Sequence, residues 1–156
     1  MSQYTHFFIR TPHNELLLID TVSSSAMIHE YLAAPWDKIE PLTRASANYV
    51  RDALVGERDN YTNILRNYDK DIEFVQNCRG TDITDRLEAR GTILAQKADA
   101  QLVYEEIVQW IHFMEFLLQI MESAANFYSD LSYTIDPDRY IYFGTECGFN
   151  PEIPLD

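Results

Sequence analysis

The sequence predicts an α+β fold that is predominantly α-helical, with two long antiparallel helices packed on a small three-stranded antiparallel sheet. Two long segments space their apolar residues by threes and fours, as amphipathic helices do. Short aromatic and β-branched segments, typical of strands, lie before and after them. Only five Gly and six Pro occur in 156 residues, which favours long regular elements. A chain of this length is ordinarily one domain, so we expect a single domain over 1–156.

The first elements are a β-hairpin over 4–22 and a short helix over 25–33. Residues 4–10 and 16–22 are rich in aromatic and β-branched side chains, and Thr11-Pro12-His13-Asn14 between them has a turn composition. The serines at 23–25 then supply N-cap hydroxyls for the short helix.

Two long helices are predicted over 43–79 and 83–128. Gly80 stands where a C-cap glycine belongs, and Asp82 is a suitable N-cap for the second helix. An unbroken helix over 83–128 would be about 70 Å long, whereas a compact domain of this size is roughly 40 Å across. Either Gly56 and Gly91 break the helices, or the two helices protrude as a hairpin.

The second half of the second helix carries a heptad seam that we expect to be buried. The seam advances in alternating steps of four and three and comprises Val103, Ile107, Trp110, Met114, Leu117, Met121, Ala124 and Tyr128. Further apolar residues flank the seam, with Phe113, Phe116, Ile120 and Phe127 on one side and Val108, Ile111 and Leu118 on the other. Polar residues therefore form only a narrow stripe: Glu105, Gln109, His112, Glu115, Gln119, Glu122 and Asn126. A membrane span tolerates such a stripe poorly, which favours burial between the first long helix and the sheet.

The last predicted element is a strand over 139–144. Tyr140-Ile141-Tyr142-Phe143 has the composition of a strand, and it follows the turn Asp136-Pro137-Asp138. Pairing with the N-terminal hairpin would complete the three-stranded sheet.

Charge is distributed unequally along the chain. The last 59 residues hold eleven carboxylates and one base, Arg139, a net charge of −10, whereas the first 97 hold fourteen carboxylates and eleven bases, a net charge of −3. A field of one sign selects partners of the other sign, which predicts a basic protein partner and opposes direct binding of nucleic acid. Two cysteines and no recognisable signal peptide favour a cytoplasmic location.

The motifs that carry chemistry are weak. His112-x-x-Glu115 places two metal-ligand types on one helical face, but the remaining ligands of a di-metal bundle are missing. Cys78 and Cys147 lack the spacing of a zinc site, and Asp136, Asp138 and Glu146 are explained by turn chemistry. No phosphate-binding loop or nucleophile elbow is present. We therefore expect neither a cofactor, nor a metal, nor an enzymatic activity.

These observations favour a non-catalytic acidic protein-binding module. Its size, charge and lack of catalytic motifs resemble, as a general type, the nucleic-acid mimics with which phages inhibit restriction or CRISPR systems, and the resemblance implies an inhibitor that occupies the basic nucleic-acid-binding surface of another protein. The predicted partner-binding residues are Glu105, Glu106, Glu115, Glu122, Asp130, Asp136, Asp138 and Glu146. Two alternatives remain open: a helical homo-oligomer that pairs through the Val103–Tyr128 seam, and an enzyme that uses carboxylates or a metal.

Overall fold

The structure, a computed structural model, describes residues 4–23, 31–32, 38–80, 82–130 and 135–145. In chain order its elements are β1 (Tyr4–Arg10), β2 (Leu16–Ser23), β3 (Glu40–Pro41), α1 (Arg44–Asn77), α2 (Ile83–Asp130), a 3-10 helix (Pro137–Arg139) and β4 (Ile141–Thr145). The fold is therefore α+β and mostly helical, as predicted. The predicted short helix over 25–33 lies almost entirely outside the described residues.

The sheet has four antiparallel strands in the order β2-β1-β4-β3, one more than predicted. The predicted pairing of the last strand with the N-terminal hairpin is confirmed, because Phe7 of β1 lies opposite Phe143 of β4. The additional strand β3 has two residues, and its Glu40 also lies opposite Phe143. The last strand begins at Ile141 rather than at 139, because the residues before it form the 3-10 helix.

The two central strands are buried on both faces. On one face Phe7 packs edge-on against Phe113 of α2, with the ring centroids 4.9 Å apart. On the other face Phe8 and Tyr142 form a cluster with Ile39. Consecutive residues of β1 and β4 are consequently buried, which explains why these segments read as continuous apolar runs rather than as alternating strands.

The chain divides into two compact units, and both long helices contribute to each. The sheet unit comprises residues 1–51 and 113–156, and the hairpin unit comprises residues 52–112. In the sheet unit the seam residues Met114, Leu117 and Met121 are completely buried. In the hairpin unit the seam residues Ile107 and Trp110 are buried. The predicted burial of the seam is confirmed at these positions, and the expectation of a single domain stays a prediction.

The hairpin unit consists of two antiparallel helical segments. Lys97 of α2 pairs with Asp69 of α1 at 2.6 Å, and Arg86 Nη1 donates to the carbonyl oxygen of Cys78 at 3.1 Å. Gly80 between the helices has a φ of 83°, a conformation that glycine adopts without strain. Asp82 caps α2 as predicted, because its Oδ1 accepts from the backbone N–H of Thr84 at 3.0 Å.

The helices run unbroken through Gly56 and Gly91. A glycine in a helix interior costs about 1 kcal/mol relative to Ala, which the rest of a long helix offsets easily. Neither position is crowded, since a Cβ built on either glycine meets nothing within 4 Å.

Candidate functional site

The candidate site in the sheet unit is the exposed side of α2, opposite the buried seam. Glu115, Gln119 and Glu122 are all exposed, as the predicted polar stripe requires. Glu115 and Glu122 are seven residues apart, so they share one side of the helix about 10 Å apart along its axis. Within the described part of the chain, neither carboxylate has a hydrogen bond or an ion pair. Two uncompensated negative charges therefore face solvent.

Phe116 lies beside this stripe and is 47% exposed. The sequence analysis placed it among the flanking apolar residues expected to be buried between two layers, and that expectation is wrong for this residue. Its ring stands 6.4 Å from the ring of Phe113, which in turn packs on Phe7 of the sheet. The exposed ring of Phe116 thus lies next to Phe113, which packs on the buried Phe7. We call the set Glu115, Phe116, Gln119 and Glu122 the acidic face.

Asp136 and Asp138 have structural roles. Asp136 caps the 3-10 helix, since its Oδ1 accepts from the backbone N–H of Asp138 at 2.9 Å. Asp138 Oδ1 accepts from the backbone N–H of Arg44 at 2.8 Å and from Arg44 Nε at 3.3 Å. Thr43 completes this helix start, because its Oγ1 accepts from the backbone N–H of Ser46. A carboxylate at a helix N-terminus satisfies a free N–H and complements the helix dipole.

The remaining predicted residues fall elsewhere. Glu105 and Glu106 belong to the hairpin unit, where Glu105 is exposed and accepts from Gln101 Nε2 at 3.4 Å, while Glu106 is half-buried. Asp130 is the last residue of α2, and its side chain is not among those described. Glu146 lies outside the described residues. The structure therefore brings Glu115 and Glu122 together on one helix face, whereas Asp136 binds the backbone of Asp138 and Asp138 binds Arg44.

The hairpin unit holds a second set of notable residues, which the sequence analysis missed. A cavity of about 280 Å³ near the interhelical loop is lined by Val75, Gln76, Ile83, Arg86, Leu87 and Arg90. The Nε atoms of Arg86 and Arg90 are buried and have no hydrogen-bond acceptor in the described part of the chain. The signal was present in the sequence as apolar residues three and four apart on the outside of α2.

Other chemistry finds little support. Across the described ranges, no group of three or more His, Cys, Asp or Glu side chains is arranged to hold a metal ion. His112 is exposed, Cys78 is half-buried, and Cys147 lies outside the described residues. Among the described residues no helix has the length and apolar character needed to cross a membrane.

Comparison with known proteins supplies no relative. The chain matches no protein-family model, no curated protein and no solved structure.

Proposed function

We propose that this chain is a non-catalytic binding protein whose acidic face docks onto a basic surface of another protein. The observation that carries the proposal is the position of Phe116, half-exposed beside carboxylates that have no ion pair in the described part of the chain. Aromatic residues are enriched at the centres of protein interfaces, so an exposed ring beside these carboxylates supports a binding role for the acidic face.

The chemistry of the face specifies the partner. Phe116 requires an apolar depression, since removing the exposed half of a Phe side chain from water is worth about 1 kcal/mol. Glu115 and Glu122 require Arg or Lys beside that depression, and such pairs steer association and set orientation. The helical spacing resembles the common mode in which an amphipathic helix face occupies a groove.

The charge density of the acidic face indicates whether its partner surface is a general basic groove or one that normally holds nucleic acid. Duplex DNA carries one negative charge per ~1.7 Å of axis, so it would carry about six charges over the 10 Å that separate Glu115 from Glu122. The acidic face offers two charges and an aromatic ring over that length. This supports a mixed apolar and electrostatic contact over a pure phosphate mimic, and inhibition of a nucleic-acid-binding protein is the narrower version of the proposal.

The test is affinity capture from the native host with four baits: the wild-type chain, E115R/E122R, Phe116→Ser and the control D71R/E73R. Asp71 and Glu73 are exposed on α1 in the hairpin unit, so the control changes the net charge by the same amount at another place. We expect a protein that the wild type and the control retain and that E115R/E122R and Phe116→Ser lose. Equal retention by all baits would contradict the proposal.

Salt dependence with the purified partner tests the narrower version. A contact with two ion pairs predicts a shallow fall of affinity with rising salt, whereas a contact through many carboxylates predicts a much steeper fall. A steep dependence would favour the nucleic-acid-mimic version, with further carboxylates recruited to the contact.

A further inference from the structure

Most of the hairpin unit leaves its apolar residues exposed or half-buried. From 55 to 106, with Thr81 not described, every residue is exposed or half-buried, although this stretch contains two long helical segments. Two helices alone present only one shared seam, so apolar residues elsewhere on their surfaces have nothing to pack against. Most helical stability in proteins comes from packing of an apolar face, and a free apolar face of this length requires an explanation.

One such face forms a continuous line on α2. It consists of residues spaced by 4, 4, 3, 4 and 4 positions, and we call it the outer stripe: Ile83, Leu87, Gly91, Leu94, Ala98 and Leu102. Ile83, Leu87 and Leu102 are each more than 60% exposed. Gly91 is open as well, and together with Ala98 it would allow a second helix to approach closely. The residues of α2 that turn towards α1, such as Lys97, lie on a different side of the helix.

The two borders of the outer stripe carry opposite charge. Helical geometry at 3.6 residues per turn places Glu88 and Asp99 along one border, and Arg86, Arg90 and Lys97 along the other. Lys97 is already paired with Asp69. Arg86 and Arg90 line the cavity beside Ile83 and Leu87, and their Nε atoms lack an acceptor within the described residues.

We infer that the outer stripe is a dimer interface and that its occupant is the outer stripe of a second copy of this chain, with the two α2 helices parallel. Parallel two-fold pairing sets the acidic border of each copy against the basic border of the other, as charged positions do in coiled coils. An antiparallel pair would set like borders together. The same surface serves both copies, so the contact closes at a dimer.

The size of the outer stripe sets the expected affinity. Its 19 helical steps span about 29 Å, and a helix is about 10 Å wide, which gives roughly 300 Å² per copy. Stable complexes ordinarily bury about 800 Å² per partner. We therefore expect a weak dimer that forms only at high protein concentration.

Sedimentation equilibrium of the full chain from about 1 to about 300 μM tests the inference. We expect a monomer–dimer equilibrium for the wild type, a monomer for L87Q/L94Q/L102Q, and retention of the dimer by the control L17Q/L18Q, which replaces exposed leucines of β2. All these residues are at least partly exposed, and circular dichroism verifies that the variants fold. A wild type that stays monomeric at the highest concentration, or a triple variant that still dimerises, would overturn the inference.

Charge reversal and cross-linking test the parallel arrangement. R86E/R90E and E88R/D99R should each lose the homodimer, and an equimolar mixture should form a heterodimer. In a C78S/C147S background, Leu87→Cys and Leu102→Cys should each form a disulfide-linked homodimer on mild oxidation, because parallel pairing brings identical positions within about 7 Å. A disulfide only between Leu87→Cys and Ala98→Cys in a mixture would establish the antiparallel arrangement, which places these two positions opposite each other, and would overturn this part.

Discussion

Replacing Asp138 with Ala should destabilise the protein by about 1.5 kcal/mol. The substitution removes the acceptor at the start of α1, where the backbone N–H of Arg44 donates to Asp138 Oδ1 at 2.8 Å. Losing a carboxylate acceptor at a helix start costs typically ~1 kcal/mol, and the charge at the positive end of the helix dipole adds about 0.3–1 kcal/mol. The ion pair with Arg44 Nε adds little, since the side chains of Arg44 and Asp138 are 56% and 41% exposed.

Urea denaturation followed by circular dichroism measures this change in the free energy of unfolding. The midpoint should fall with an unchanged denaturant slope, and the melting temperature should drop by about 3–6 °C. Arg44→Ala keeps the backbone N–H and loses only the exposed ion pair, so it should cost about 0.5 kcal/mol or less. Glu122→Ala, at an exposed position, should change stability by less than about 0.5 kcal/mol. The reasoning is refuted if Asp138→Ala costs no more than Arg44→Ala, because the backbone contact would then contribute nothing.

Three further substitutions test the packing by the same denaturation experiment. Gly144→Ala should cost about 2 kcal/mol, because its Cβ would collide with the carbonyl oxygen of Lys38; an unchanged midpoint would contradict the close approach. Gly56→Ala should stabilise the protein by about 0.5–1 kcal/mol, since the position is helical and open. A loss of stability would contradict a helix that continues through position 56. Met114→Ala should cost about 3 kcal/mol through the cavity it leaves, against roughly 1 kcal/mol or less for Phe116→Ala; equal losses would contradict their different burial.

Local sequence patterns predicted the helices well because local forces determine them. Apolar residues spaced by threes and fours from Ile107 to Met121 indicate which side of α2 is buried. This indication does not depend on which residues pack against that side. Asp82 and Gly80 act on neighbouring backbone groups, so their capping and turn roles are readable from adjacent residues.

Non-local contacts explain what the sequence did not predict. Strand β3 has only two residues, Glu40 and Pro41, which are too few for any periodicity and pair with a strand 100 residues away. The contact of Asp138 with Arg44 spans 94 positions, so the carboxylate reads as an ordinary turn residue. Phe116 belongs to an apolar flank in the sequence, and only the placement of the other layers decides that its ring stays half-exposed.

These contacts also divide the acidic half of the chain into two classes of carboxylate. Asp136 accepts a hydrogen bond at the start of the 3-10 helix, and Asp138 accepts one at the start of α1. Glu115 and Glu122 make no hydrogen bond or ion pair with the described part of the chain. Net charge therefore measures neither stability nor binding. Neutralising either pair changes the charge by the same amount, but D136N/D138N should lower the stability, while E115Q/E122Q should leave stability unchanged and weaken the proposed contact. A partner attracted only by the overall charge would lose the same affinity for D136N/D138N as for E115Q/E122Q. A larger loss for E115Q/E122Q, measured on folded protein, would show that the acidic face makes the contact.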